Sequence, residues 1–168
     1  MNREFDEIYK TYAKDVYRFI LRLCENETLA EDILQDTMLK AITSIDSFKG
    51  GCSMKTWLCT IARNEYLNHV KRAENRNLPL DTAREVSDAD DPFSRMESTE
   101  LSVQIHRVLH RLDEPYREVF TLRVFAELKF DDIGSIFGKS ANWASVTYFR
   151  AKKKLIEMMK EEGIYEEQ

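Results

Sequence analysis

Apolar residues recur at helical spacing from Glu4 to Arg76. Phe5, Ile8, Tyr9, Tyr12, Val16, Phe19, Ile20 and Leu23 fall on one stripe, the i, i+3, i+4 pattern that a helix buries. Thr28 with Glu31 three residues later reads as a capping box, and the helix it starts buries Ile33, Leu34, Thr37, Met38, Ala41 and Ile42. "DSFKGGCS", Asp46 to Ser53, breaks the pattern with two adjacent glycines. A third long helix follows from about Lys55 to Arg76 and buries Trp57, Leu58, Ile61, Ala62 and Val70.

The stretch from 77 to 100 differs in kind. It holds two prolines, few bulky apolar residues and an excess of acids, which predicts a flexible acidic linker. Helical periodicity returns at Leu101, Ile105, Val108, Leu109 and Leu112. Pro115 then opens a helix with Val119, Phe120, Leu122 and Phe125 inside, since proline is well tolerated in a first turn. Two more helices are predicted near Phe130–Phe137 and Ala141–Lys160, and the tail "KEEGIYEEQ" is expected to fray. The pattern thus predicts an all-α chain of two small helical domains, 1–76 and 101–168, joined by the 77–100 linker.

Composition agrees. The 168 residues are 43% hydrophobic and 33% charged with only five glycines and three prolines, as a helical globular protein would be. No apolar run approaches the roughly 18 residues of a membrane span. "MNREFDEIYK" is charged from its third residue and so does not read as a signal peptide. A cytoplasmic protein with no membrane contact of its own is expected. Cys24, Cys52 and Cys59 show no disulfide-framework spacing. Cys52 and Cys59 with His69 lack a fourth ligand, so no metal and no cofactor is expected.

Charge changes the picture near the C-terminus. The chain is net acidic, 30 Asp and Glu against 25 Lys and Arg, yet Ile133 to Ile156 holds five cations (Lys139, Arg150, Lys152, Lys153, Lys154) and no carboxylate. Within "FDDIGSIFGKSANWASVTYFR", Gly134 sits where two segments approach closely and Gly138 supplies a left-handed turn. Ser140 caps a new helix whose buried face is Ala144, Val146 or Thr147, Ala151 and Leu155. That order is the signature of a helix-turn-helix, and a capped N-terminus directs N–H groups toward phosphate. Cations near a helix C-terminus also suit the macrodipole, which accounts for Lys152–Lys154 but not for Lys139 or the missing acids. Binding to DNA depends on the local excess of cations, because neutralised phosphates release counterions.

Two sets of residues carry a family resemblance. "AEDILQDT" with "TWL…IARN" resembles region two of a bacterial sigma factor, and "YREVFTLRVFAELKFDDIGSIFGKSANWASV" resembles region four. Order, length and the missing intermediate domain resemble the compact extracytoplasmic-function group. The resemblance implies a subunit that binds core RNA polymerase, directs initiation at specific promoters and is held by an anti-sigma factor. It implies that Asp32, Gln35, Asp36 and Leu39, which share one helix face by their i, i+3, i+4, i+7 spacing, dock on the polymerase. It assigns Arg63, Asn64, Asn68, Lys71 and Arg72, with the Phe48–Ser53 loop (Lys49 and Ser53 in it) and Lys55 just beyond, to a minus-ten element that must be tracked as melted strand. Lys139, Ser140, Asn142, Trp143, Ser145, Val146, Thr147, Arg150 and Lys153 become the contacts to a minus-thirty-five element. The chain departs from the family in three places. Lys129 stands where a capping Ser is common, leaving Asp131 as candidate cap. Gly134 replaces an alanine, and Ala144 replaces a larger aliphatic residue.

Other readings predict other features. A repressor or activator built on the same motif would carry a ligand pocket or dimer helix in residues 1–76. An enzyme would carry a phosphate-cradling glycine motif or a histidine with a partner, whereas His69, His106 and His110 have no evident one in the sequence.

Overall fold

The computed structural model of the chain describes residues 3–76 and 100–164. Their regular structure is helical throughout: α1 (Arg3–Cys24), α2 (Glu27–Ser44), a single 3-10 turn (Ile45–Ser47), α3 (Met54–Asn75), α4 (Glu100–His110), α5 (Tyr116–Val124), α6 (Phe130–Phe137) and α7 (Ala141–Glu161). Two compact units divide the chain, Met1–Val86 and Ser87–Gln168. The all-α, two-domain class read from the pattern is the class observed. The expected linker, apart from Glu100 at the start of α4, lies outside the described residues.

In the N-terminal unit α1, α2 and α3 pack on one another. Val16, Phe19, Ile20 and Leu23 of α1, Ile33, Thr37 and Met38 of α2, and Leu58, Cys59 and Ala62 of α3 are all buried where the three helices pack. Tyr17 and Leu21 are buried too, because both partners embrace the second half of α1. Its first half is less covered, and Tyr9 is exposed.

The start of α2 corrects the capping-box reading. Asn26, not Thr28, is the cap, its side chain accepting from the Leu29 N–H at 3.0 Å. Only Glu25 and Asn26 separate α1 from α2, so the helix must begin as soon as the chain has reversed. Glu25 makes that reversal at φ +49°. Ile42, expected in the core, is exposed and lines a shallow apolar cleft with Phe5, Ile8, Ala41, Ile45 and Trp57.

In the C-terminal unit α7 is the hub, packing on α4, α5 and α6. Val108, Leu109 and Leu112 close with Phe120, Ala151, Leu155 and Met159 into one cluster. Val146, offered as an alternative inward residue, points out instead, and Thr147 takes the buried place. The tail expected to fray is closed on itself as far as Ile164. Gly163 turns at φ +71° and the Ile164 N–H reaches the Met159 carbonyl at 2.9 Å. Ile164 packs against the cluster, so the helix is stopped by a left-handed cap, with 165–168 outside the described residues.

Candidate nucleic-acid and protein interfaces

The α6–turn–α7 segment is built by three local devices. Gly138, at φ +65°, ends α6, with the Lys139 N–H on the Gly134 carbonyl at 2.8 Å. This six-to-one bond is a Schellman closure. Gly134 sits under that turn. A Cβ added there would lie 2.6 Å from the Ser140 carbonyl oxygen and 2.7 Å from that of Lys139, so the position that reads as a poor helix former is the one that lets the turn close. Ser140 then caps α7, its Oγ accepting from the Trp143 N–H at 3.0 Å. Asp131 is no cap: Lys129 occupies that position without a side-chain bond, and Asp131 and Asp132 lie inside the first turn of α6, where carboxylates suit the dipole.

At 3.6 residues per turn, α7 sorts its residues cleanly. Ala144, Thr147, Ala151, Leu155 and Met159 face inward. Asn142, Val146, Phe149, Arg150 and Lys153 are exposed, with Ser145 half-buried at their edge. Thr147, expected to touch DNA, is therefore removed from that row, 6% exposed against the packed face. Trp143 is half-buried, its ring 5.2 Å from that of Phe137, and it braces the turn. Lys139 and Ser140 remain exposed at the helix start. Lys154 turns aside to Tyr116, 5.2 Å from its ring centre. Phe149, missed by the sequence reading, is the most exposed large apolar residue of the row at 57%. Its spacing of three from Val146 and seven from Asn142 was the available signal.

The N-terminal unit presents two polar faces. On α2, Asp32, Gln35, Asp36 and Leu39 are all exposed, Leu39 to 62%, opposite the buried Ile33, Leu34, Thr37 and Met38. The stripe is tied to α3 by Asp36 and His69, 3.6 Å apart, and by Lys40 against the buried Glu65. On α3, Asn64, Asn68, Lys71 and Arg72 are exposed and Arg63 is half-buried. Leu67 lies among them, also exposed.

The preceding loop places its residues unevenly. Lys49 is exposed and Gly50 turns at φ +74°. Ser53 is the cap of α3, bonding the Thr56 N–H at 3.1 Å. Lys55 leaves the expected DNA-facing set, since it lies half-buried with its ammonium 3.6 Å from Asp15 of α1. Trp57 is half-buried, its ring 5.1 Å from that of Phe48, so it supports the loop. Burial pushes the Cys59 thiol up to about 12, which leaves it an unreactive core group. Among the described residues no group of three His, Cys, Asp or Glu side chains is placed to hold a metal ion, and no helix is long and apolar enough to cross a membrane.

Comparison with known proteins follows the same division. Residues 8–76 match sigma-70 region 2 and residues 102–155 match sigma-70 region 4. The chain is 32% identical over 160 residues to the ECF RNA polymerase sigma factor SigM of Bacillus subtilis (strain 168), covering 89% of this chain and 91% of that one. Its fold is similar to that of the sigma factor RpoE from Bartonella quintana, solved in complex with the anti-sigma factor NepR. There the TM-score is 0.78 at 26% identity, over 95% of this chain and 98% of that one. CnrH, in complex with the cytosolic domain of CnrY, shares the fold at a TM-score of 0.70 and 20% identity, over 94% of this chain and 88% of that one.

Proposed function

The chain belongs to the extracytoplasmic-function group of bacterial RNA polymerase sigma factors and directs promoter-specific transcription initiation; from that premise we propose how its separate faces divide the work. The row Asn142, Ser145, Val146, Arg150 and Lys153 on α7 enters the major groove of the minus-thirty-five element, with Lys139 and the Ser140-capped helix end on adjacent phosphate. The α2 stripe of Asp32, Gln35, Asp36 and Leu39 docks on a basic surface of the core enzyme. The α3 face of Arg63, Asn64, Asn68, Lys71 and Arg72, with the loop at Lys49, tracks the melted minus-ten strand. The protein contributes binding and no bond chemistry of its own, and acts in the cytoplasm. An anti-sigma protein, of the kind seen with RpoE, holds it inactive by covering these faces.

One observation supports this reading above the rest. The outward face of α7 begins at a capped helix N-terminus in a stretch, Ile133 to Ile156, that holds five cations and no carboxylate in a chain that is otherwise acidic. Early side chains of such a helix meet base edges and later cations meet phosphates. Holoenzyme reconstituted from core polymerase and the full chain tests it on a promoter panel at two salt concentrations. Asn142→Ala should flatten discrimination, losing about 1–3 kcal/mol on the preferred sequence alone, whereas Lys153→Ala should weaken every promoter alike and reduce the salt slope by about one. An unchanged promoter ranking with Asn142→Ala removes α7 from the groove.

A further inference from the structure

The centre of the exposed α7 face is apolar. At about 100° per residue, Val146 and Phe149 occupy its middle, between Asn142 one turn earlier and Lys153 one turn later, with Ser145 and Arg150 on the flanks. Val146 is 39% and Phe149 57% exposed, on the side of the helix away from its buried residues. The Phe149 ring is braced from within the unit. It stands 6.4 Å from the Phe130 ring and 5.3 Å from that of Tyr148. Phe130 is in turn covered by the Arg123 guanidinium at 4.2 Å, itself held by the Leu128 carbonyl at 2.9 Å. The ring is thus neighboured from within the unit while it and Val146 both remain exposed.

Charge identifies what covers this pair. The stretch of helix around them, through Ile156, is cationic and free of carboxylates, which suits a polyanion. The major groove of DNA offers one apolar group, the 5-methyl of thymine. Val146 and Phe149 are about 4.5 Å apart along the helix axis, and successive base pairs about 3.4 Å, so the pair spans one or two neighbouring steps. Resting on the assignment of α7 to the groove, we propose that Val146 and Phe149 form an apolar seat for thymine 5-methyl groups. This seat makes thymine a required base at one position, or two adjacent positions, of the minus-thirty-five element.

Holoenzyme made with the full chain first selects its preferred sites from DNA randomised over the minus-thirty-five element. Each thymine of the selected site is then replaced singly by deoxyuridine, which removes only the methyl. One thymine, or two neighbours, should lose binding by about fourfold, the worth of one buried methyl, and Val146→Ala should abolish that loss while the other thymines stay silent. Phe149→Ala should do the same, and Val146→Ala, on the exposed face, keeps the test open if the larger change disturbs the aromatic cluster. No responsive thymine, or a full response retained in both variants, overturns the seat. Weaker assembly with core polymerase in the absence of DNA overturns it in favour of a protein contact. If Asn142→Ala still flattens discrimination in the same assay, only the seat has failed; if it does not, the placement of α7 has failed with it.

Discussion

His110, at the end of α4, is held below its ordinary value of 6.5, first by burial and then by the Arg117 guanidinium, whose Nη1 lies 3.3 Å from its Nδ1. Arg117 is also bonded through Nε to Glu114 at 2.7 Å, so its charge cannot swing away freely. The consequence for stability has a definite sign. Below 6.5 the unfolded chain takes up a proton that folded His110 refuses, so the unfolded state binds more protons and stability falls with falling pH. The contribution is complete above 6.5 and is lost progressively beneath it. Urea denaturation of the full chain between about pH 7 and pH 5 should show the C-terminal unit weakening as the pH drops, and His110→Gln should flatten that slope. A slope unchanged by the substitution would place the titration elsewhere.

At the scale of the element, the helix-turn-helix depends on two small residues with opposite propensities. Ser140→Ala removes the acceptor for the Trp143 N–H and should destabilise the C-terminal unit by about 1 kcal/mol, roughly 4–8 °C in Tm for a unit of this size. Gly134→Ala sets two forces against each other. Helix propensity improves by about 1 kcal/mol, but the new Cβ meets the Ser140 and Lys139 carbonyl oxygens well inside contact distance. These are backbone atoms of a turn closed by its own hydrogen bonds, so the clash prevails and the net effect should be a loss of about 1–3 kcal/mol, as in other overpacked sites. Thermal unfolding followed by circular dichroism reads both variants. A rise in Tm for Gly134→Ala would mean that the turn yields more easily than its bonds indicate.

Across the whole molecule, the division of labour predicts two distinguishable kinds of failure. Asp32→Lys with Asp36→Lys reverses the exposed α2 stripe without touching its buried face. Like charges across a docking surface cost several kcal/mol, so binding to core polymerase should fall by more than about tenfold and transcription should fall on every promoter tested. Helical content should be unchanged, since both side chains are exposed. Asn142→Ala, in the other unit, should leave core binding intact and alter only the order of preferred promoters. Unchanged core affinity in a folded Asp32→Lys, Asp36→Lys protein would remove α2 from the polymerase contact.

The sequence by itself determined the elements and their chemistry. Periodicity placed the helices because burial of an apolar stripe is a local property of spacing, visible in Val16 to Leu23 or Ala144 to Leu155. The turn at Gly138 and the cap at Ser140 were legible for the same reason: each depends on backbone requirements within a few residues. The exposed stripe of α2 could be read from its i, i+3, i+4 spacing. What depended on neighbours distant in the chain was decided only by the tertiary structure. Thr147 and Val146 are adjacent and similar in size, and the packing of α7 on α4, α5 and α6 chose which went inside. Lys55 read as a free cation until α1 brought Asp15 to it. Thr28 and Glu31 had the right spacing for a cap, but two residues of connection forced α2 to start at Glu27 with Asn26 as its cap. The close approach at Gly134 was legible from the glycine, and the structure identified what approaches it, the carbonyl oxygens of Lys139 and Ser140.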